Sequence, residues 1–478
     1  MTPMKAIVPA LAAALSGLAI YFSMGLSGSV ATTPGVLWLV ALFAPIPVLW
    51  FAFRPESKGW VAFAAAFAAS AIGALSLLFA YGRFLPAIAL AMGIATPALA
   101  FALSVAGARF IARRVAPISG VIAFAALWTG FDYLLSQGPN GAASSPAYSQ
   151  VEMPWMIQGA AVFGIWAITA VMGLFAAAAA MFAATRQRSF AIFALAVLVL
   201  NIGYGHFRMA TAPQTETVRV GLAGNDALVR AGLKDDEASA LAVVKAYAET
   251  GRRLAQQNAN VIVFPEKIAV LRPAWRSAVN AEFETVAHMG HALVAAGFDE
   301  RGVTRQNNAL VFFANGAAPQ TYTKRRLVPG LESAFVPGAK SFMVSDRTGI
   351  AICKDMDFPE MLRGDSLVGP NLYAVPAWDF DRDAVWHAHL AIMRGVENGF
   401  AVARAANDGL LTISDAYGRV LGVKKTADGG MVSLRGDIAR GPGQTLYGRI
   451  GDSLAYICLA LSVLLLAVAA FAKPERKQ

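Results

Sequence analysis

Eight apolar stretches decide what this chain can fold into. They run over residues 5–25, 35–53, 60–81, 84–107, 121–137, 155–184, 190–207 and 453–472. A bilayer core about 30 Å thick takes roughly 20 helical residues to cross, and inside it every backbone polar group must be satisfied within the segment itself. Each stretch therefore reads as a membrane-spanning helix. The first could also serve as a secretory signal peptide, but further spans follow closely and no small-residue cleavage site separates them, so a retained anchor is expected. Hydrophobic residues make up 57% of the chain and charged ones only 15%, which an ordinary water-soluble protein does not tolerate.

Lys and Arg in short loops resist translocation and so set orientation. Arg54 and Lys58 follow the second stretch, Arg109, Arg113 and Arg114 the fourth, Arg186 and Arg188 the sixth, and Lys473, Arg476 and Lys477 close the chain. The alternate loops 26–34 and 138–154 contain neither residue, and the turn after the third has only Arg83. Both termini are expected in the cytoplasm of a bacterial inner membrane, with the stretch between the seventh and eighth spans on the far side. The net charge of +10 is then largely topological and calls for no nucleic acid partner. Three regions result: 1–207, a seven-span bundle; 208–452, a globular periplasmic domain; and 453–478, a last span with a basic tail.

In the globular region, strand-like runs such as "VRVGLAG", "NVIVFPE" and "HALVAAGF" alternate with the helical patterns "DDEASALAVVKAYAETGRRLAQQ" and "AWRSAVNAEFETVAHMG", and later runs pair as hairpins. A layered α/β domain fits that order. Chemistry in such domains collects beyond the carboxyl ends of strands. Glu266, Lys324 and Cys353 are all expected at such exits. Only two cysteines exist, Cys353 here and Cys458 in the last span, so Cys353 has no disulfide partner. A thiol becomes an acyl acceptor when a base takes its proton and a cation or hydrogen-bond donor holds the oxyanion. Glu266 and Lys324 could fill those roles, although charged residues are more often solvated surface groups. Lys354, next to the thiol, either favours the thiolate or points away along the chain.

The motifs "FPEK", "YTKRRLVPGLES" and "ICKDMDFPEMLR" resemble, in order and separation, the Glu, Lys and Cys motifs of the nitrilase superfamily. Set between seven spans and a final one, they resemble the apolipoprotein N-acyltransferase family, of which this would be a divergent member. The resemblance implies an α-β-β-α sandwich with Glu266 as general base, Lys324 as oxyanion partner, Cys353 as nucleophile and Glu332 beside the site. Lys354 and Asp355 stand where the family has an aromatic residue and a glutamate, and Lys267 where it has a small hydroxyl residue. The implied reaction carries an acyl chain from a phospholipid through a Cys353 thioester to the amine of a lipidated protein. Trp155 and Trp378 are the expected lipid contacts, and a monomer is expected.

No cofactor or metal is expected. His387 and His389 lie two apart on a helical pattern and do not share a face, and Asp379, Asp381 and Asp383 read as a solvated loop lacking the Gly and terminal Glu of a calcium loop. "SDAYGR" around Asp415 and Gly418 reads as a hairpin turn. Two other functions remain compatible with the residues: a membrane-anchored amidase using the same three side chains, and a scaffold without catalysis.

Overall fold

The computed structural model describes residues 3–23, 30, 35–341, 343–344, 347–427 and 429–472, which form two compact units. One is helical and combines the described residues before 212, other than Val30, with those from Ile450 onward; the other is built on Ala212–Arg449 and includes Val30. The loop 26–34, apart from Val30, and the basic tail from Lys473 lie outside the described residues.

Among the described residues of the helical unit, six helices are long and apolar enough to cross a membrane: Gly59–Tyr81, Ala87–Arg114, Pro117–Ser136, Ile165–Thr185, Arg188–Ala210 and Ser453–Phe471. Ile7–Ser23 and Leu37–Phe53 are shorter apolar segments, the latter made of two helical pieces. On Arg188–Ala210 the side chains of Ile192, Leu195, Val199 and Leu200 are exposed. An apolar face of that extent is stable against lipid and not against water. Polar groups turn inward instead, as intramembrane ionisable residues do. Asp132 accepts hydrogen bonds from Ser145 and Thr169, each at 2.7 Å, and Asp452 accepts one from the Trp166 ring N–H at 2.7 Å.

The sixth stretch differs from expectation. Residues 155–163 are not part of the long helix: they form a 3₁₀ turn, Pro154–Met156, and a short helix, Ala160–Phe163. The break is Gly164, at φ 68°, a conformation that Gly adopts without the Cβ clash that would oppose it in other residues. The long helix then starts at Ile165.

The Ala212–Arg449 unit holds thirteen strands among its described residues: β1 (Thr217–Gly224), β2 (Val261–Val263), β3 (Ala269–Leu271), β4 (Leu293–Arg301), β5 (Arg305–Phe312), β6 (Gln320–Thr323), β7 (Met343–Val344), β8 (Thr348–Ile350), β9 (Leu372–Trp378), β10 (Ala401–Asn407), β11 (Leu410–Ser414), β12 (Val420–Lys425) and β13 (Val432–Ala439). They make two sheets, one ordered β13-β1-β2-β4-β5-β6 with β3 against β4, the other β12-β11-β10-β9-β8-β7. Strands β1, β2 and β4 run parallel, as do β8, β9 and β10.

Side-chain alternation explains the layering. In β2, Val261 and Val263 join a core shared with Ile350, Ala374, Ala403 and Ile413 of the other sheet, while Ile262 joins a second core with Val244, Tyr247 and Phe283 from the helices Glu237–Gln256 and Arg276–Gly290. Strands buried on both faces need apolar residues at every position, which is why β2 reads as a continuous run. On the far side of the second sheet, Leu362 and Ala391 of the helices Pro359–Ser366 and Ala384–Asn398 pack on Tyr373 and Phe400.

Candidate active site

Glu266, Lys324 and Cys353 come together in the Ala212–Arg449 unit. Lys324 directly follows β6, as expected of a strand exit. Glu266 and Cys353 instead lie three residues beyond the last residues of β2 and β8. The backbone has left the ladder by then, so Glu266 is fixed by its own amide, which donates to the Ala377 carbonyl at 3.1 Å across to the second sheet. Cys353 opens a 3₁₀ turn, Cys353–Asp357, with φ 46°. That left-handed conformation costs a residue with a side chain roughly 1–2 kcal/mol, which the surrounding structure has to offset.

The Lys324 ammonium, 1% exposed, lies 3.0 Å from Glu266 Oε1 and 2.9 Å from Glu332 Oε2. Asn307, inside β5, donates its side-chain N–H to Glu266 Oε1 and, at 3.0 Å, to Glu332 Oε1. Glu266 Oε1 is thus crowded with donors. Its Oε2 is buried and has no hydrogen-bond partner among the described residues. Burial pulls the Lys324 ammonium down, but Glu266, Glu332 and Cys353 together outweigh it and hold its proton far more tightly than usual. Glu332 moves the other way: against the upward pressure of burial, Lys324 and Lys267 hold its carboxyl well below the ordinary range.

Cys353 is 8% exposed, and its Sγ donates to the Trp378 carbonyl at 3.4 Å. Burial first, and then the Glu266 carboxylate, push the thiol well above its usual value, while Lys324 and Arg404 oppose. The resting group is therefore the neutral thiol. Such a site needs a base at the moment of attack rather than a standing thiolate.

Asp355, with a fully buried side chain, ties the cysteine turn to the lysine segment. Its Oδ2 accepts from Tyr322 Oη at 2.6 Å and from the Ile352 amide at 3.0 Å. Its Oδ1 accepts from the Arg325 and Arg326 amides at 3.1 and 2.8 Å. One carboxylate thus fixes the residue before Cys353 and the two after Lys324. Lys354 turns to Asp357, 3.4 Å away. Trp378 caps the site with its backbone, and its ring N–H donates to Asp408 at 2.8 Å. Trp155 belongs to the helical unit, where its ring stacks on His206 at 4.1 Å between centroids.

The aspartates expected in a solvated loop prove different. Asp379 and Asp383 are fully buried and only Asp381 is exposed. Asp379 is gripped by both Arg404 guanidinium nitrogens, and Asp383 holds His387 Nε2 at 3.0 Å. A lone Arg in the apolar run "AVARAAN" and a lone Asn pair in "RQNNALVF" were the available signals for Arg404 and Asn307: polar residues in doubly buried strands require partners. Lys267 meets the two carboxylates only in three dimensions. Its ammonium lies 2.7 Å from Glu332 Oε1 and 3.4 Å from Glu266 Oε1.

Paired sheets carrying a buried carboxylate, ammonium and thiol define a carbon–nitrogen hydrolase type of domain, and residues 227–444 match the carbon–nitrogen hydrolase family. Residues 24–178 match the apolipoprotein N-acyltransferase N-terminal domain. Relatives named apolipoprotein N-acyltransferase include those of Geobacter metallireducens, 25% identical over 92% of this chain and 94% of the relative, and Haemophilus ducreyi, 24% identical over 92% and 95%. That of Shewanella oneidensis is 24% identical over 93% and 94%. Solved structures that resemble the chain include a Nesterenkonia amidase of the nitrilase superfamily, 20% identical over 51% of this chain and 95% of that one with a TM-score of 0.38. Another is Saccharomyces cerevisiae Nit3, 19% identical over 48% and 92% with a TM-score of 0.40. The chain belongs to the apolipoprotein N-acyltransferase family and is an acyltransferase.

Proposed function

We propose that the protein transfers an acyl chain from a phospholipid to the N-terminal amine of a lipidated protein, with Cys353 as nucleophile, Glu266 as base and Lys324 as oxyanion partner. The sulfur attacks the ester carbonyl as its proton passes to Glu266 Oε2, and Lys324 faces the developing oxyanion. The ester C–O bond then breaks, and the lysophospholipid alkoxide leaves with the proton held by Glu266. The acceptor amine attacks the thioester, gives its proton to Glu266 and expels the thiolate, which is reprotonated. Glu332 and Asn307 hold Lys324 and Glu266 in register, and Asp355 positions the turn under the sulfur. The apolar segments serve as eight spans that anchor an α-β-β-α domain lying outside the cytoplasm, with both termini inside, to the membrane in which donor and acceptor reside.

The observation that carries this reading is Glu266 Oε2, a buried carboxylate oxygen with no partner among the described residues in a site whose thiol is held neutral. Buried carboxylate oxygens are bonded as a rule, and an open one in a site that holds a neutral thiol is able to take up its proton. Full-length protein incubated with phospholipid vesicles is expected to gain the mass of one acyl chain on Cys353 and to lose it to a diacylglyceryl-peptide. Cys353→Ala is expected to gain nothing. Acylation of that variant would refute the mechanism, and discharge of the wild-type adduct to free fatty acid with the peptide untouched would favour a hydrolase.

A further inference from the structure

Lys267 is the fourth charge in a cluster that the triad alone leaves unbalanced. Glu266 and Glu332 share one Asn307 amide group and one Lys324 ammonium. Two carboxylates bridged in this way with a single cation carry a net negative charge, and like-charged carboxyls at close range retain a proton between them. A general base that holds a proton cannot accept one. Lys267 Nζ lies 2.7 Å from Glu332 and 3.4 Å from Glu266, on the very oxygens that Asn307 bridges.

Its placement is also built. The backbone at Lys267 has φ 51°, a conformation that non-glycine residues rarely adopt, and it follows Glu266 directly. Its ammonium lies 5.2 Å from the Trp378 ring centre and 5.4 Å from that of Phe335, within reach of both aromatic faces. Arg305 of β5 stacks on the far partner, 4.3 Å from the Phe335 ring, and so confines it. The groups facing Lys267 are Glu266 beside it, Glu332 and Phe335 from the loop after β6, Asn307 from β5 and Trp378 from β9. Lys324 contacts both carboxylates, and the Cys353 thiol feels the charges of Glu266, Lys324, Asp379 and Arg404. With a side chain 13% exposed against 1% for both Lys324 and Glu266, Lys267 is the most accessible of the four.

We infer that Lys267 is a positioning residue that keeps Glu266 and Glu332 ionised together by supplying the second positive charge to the cluster, and thereby sets the lower pH limit of the reaction. This rests on the proposed role of Glu266 as base. The lysine contributes no bond to substrate and carries no proton in the transfer; it acts through the carboxylates.

The test is the rate at which iodoacetamide alkylates Cys353 in the full-length protein, read on the Cys353 peptide across pH, a measurement that needs no lipid. Lys267→Met keeps the length and the packing between the rings but removes the charge. Its acid limb is expected to move upward by at least about one pH unit, a tenfold slower reaction at pH values below the wild-type midpoint. Lys267→Arg, which keeps the charge, is expected to restore the wild-type midpoint. A Lys267→Met profile with the wild-type midpoint, whether at full or uniformly reduced rate, overturns the inference and leaves the lysine a packing residue. Glu266→Gln separates the two ideas. If that variant retains the wild-type acid limb, Glu266 is not the base and the proposed mechanism fails. If it loses the limb while Lys267→Met leaves the limb in place, only the role of Lys267 fails.

Discussion

Replacing Arg404 by Leu removes the guanidinium that holds both Asp379 oxygens while keeping the volume of an apolar side chain in β10. Asp379 then has two options, to remain charged in a fully buried site or to take up a proton. The second is the cheaper. Protonating a carboxyl of ordinary pKa near 3.9 at about pH 7 costs roughly 4 kcal/mol, at 1.36 kcal/mol per unit. This agrees with the roughly 3–5 kcal/mol lost when one member of a buried pair is deleted. For a domain of this size, about 2–4 °C of midpoint is lost per kcal/mol, so a fall of roughly 8–16 °C is expected. The sign of the pH dependence is fixed as well. In the variant Asp379 has a folded-state pKa raised above the unfolded one, so its contribution is present at low pH and lost as pH rises. The deficit relative to wild type should therefore shrink by about 1.4 kcal/mol for each unit of acidification until the wild-type Asp379, whose pKa burial raises above the ordinary value even against Arg404, itself protonates. The assay is thermal unfolding of the full-length protein reported by a fluorogenic maleimide reacting with Cys353 in a Cys458→Ala background. A deficit independent of pH would refute the argument, as would an Asp379→Asn, Arg404→Leu double variant no more stable than the single one.

Gly409 gives a second handle on the same pair. A Cβ there would sit 2.1 Å from Asp379 Oδ2, so Gly409→Ala is expected to lower the same midpoint through a loss of about 1–3 kcal/mol. His387 supplies a pH-dependent prediction of opposite origin. Burial pulls its pKa down, but Asp383, Asp357 and Asp379 outweigh that and raise it from 6.5 to about 9. Its contribution to stability is therefore complete below pH 6.5 and disappears as pH rises through about 9. His387→Gln should flatten the fall of the midpoint across that window, which a pH series of the same melt would show.

Much of the helical unit was legible because lipid imposes a length and a composition that survive in the sequence. Its boundaries were less so: the helix of the fourth stretch, read to residue 107, runs on to Arg114, and that of the sixth starts only at Ile165, where a glycine turns the chain inside an otherwise apolar run. Strand and helix order in the other unit followed from periodicity: the turn at "SDAYGR" closes as a hairpin in which Asp415 accepts from the Tyr417 and Arg419 amides, each at 2.9 Å. The last strand, β13, was not foreseen, because "MVSLRGDIA" alternates apolar and charged residues at the sheet edge and resembles a solvated loop. The motifs singled out Glu266, Lys324, Cys353 and Glu332, with Lys354, Asp355 and Trp378 beside them, but not Asn307 or Arg404. Asp379 looked like a solvated acid because its partner Arg404 is distant in sequence, and Asp383 because its pairing with nearby His387 does not by itself announce burial. Lys267 was visible only as an irregularity after the glutamate. Its meaning depends on Glu332, brought to it by the loop after β6.

The pairing of β1 with β13 has a consequence for biosynthesis. Thr217 lies opposite Ala439, so the first strand of the domain waits for the last one to cover its outer edge. A chain that emerges from its N-terminus leaves that edge open until Val432 and the residues after it have followed. An uncovered strand edge is a template for wrong partners, and a contact this remote in sequence forms slowly. Synthesis of this domain is therefore a period of vulnerability that ends only when its final strand arrives, and a stop codon or a stalled ribosome shortly before Val432 would leave nearly all of the site's residues made while the edge of β1 stays open.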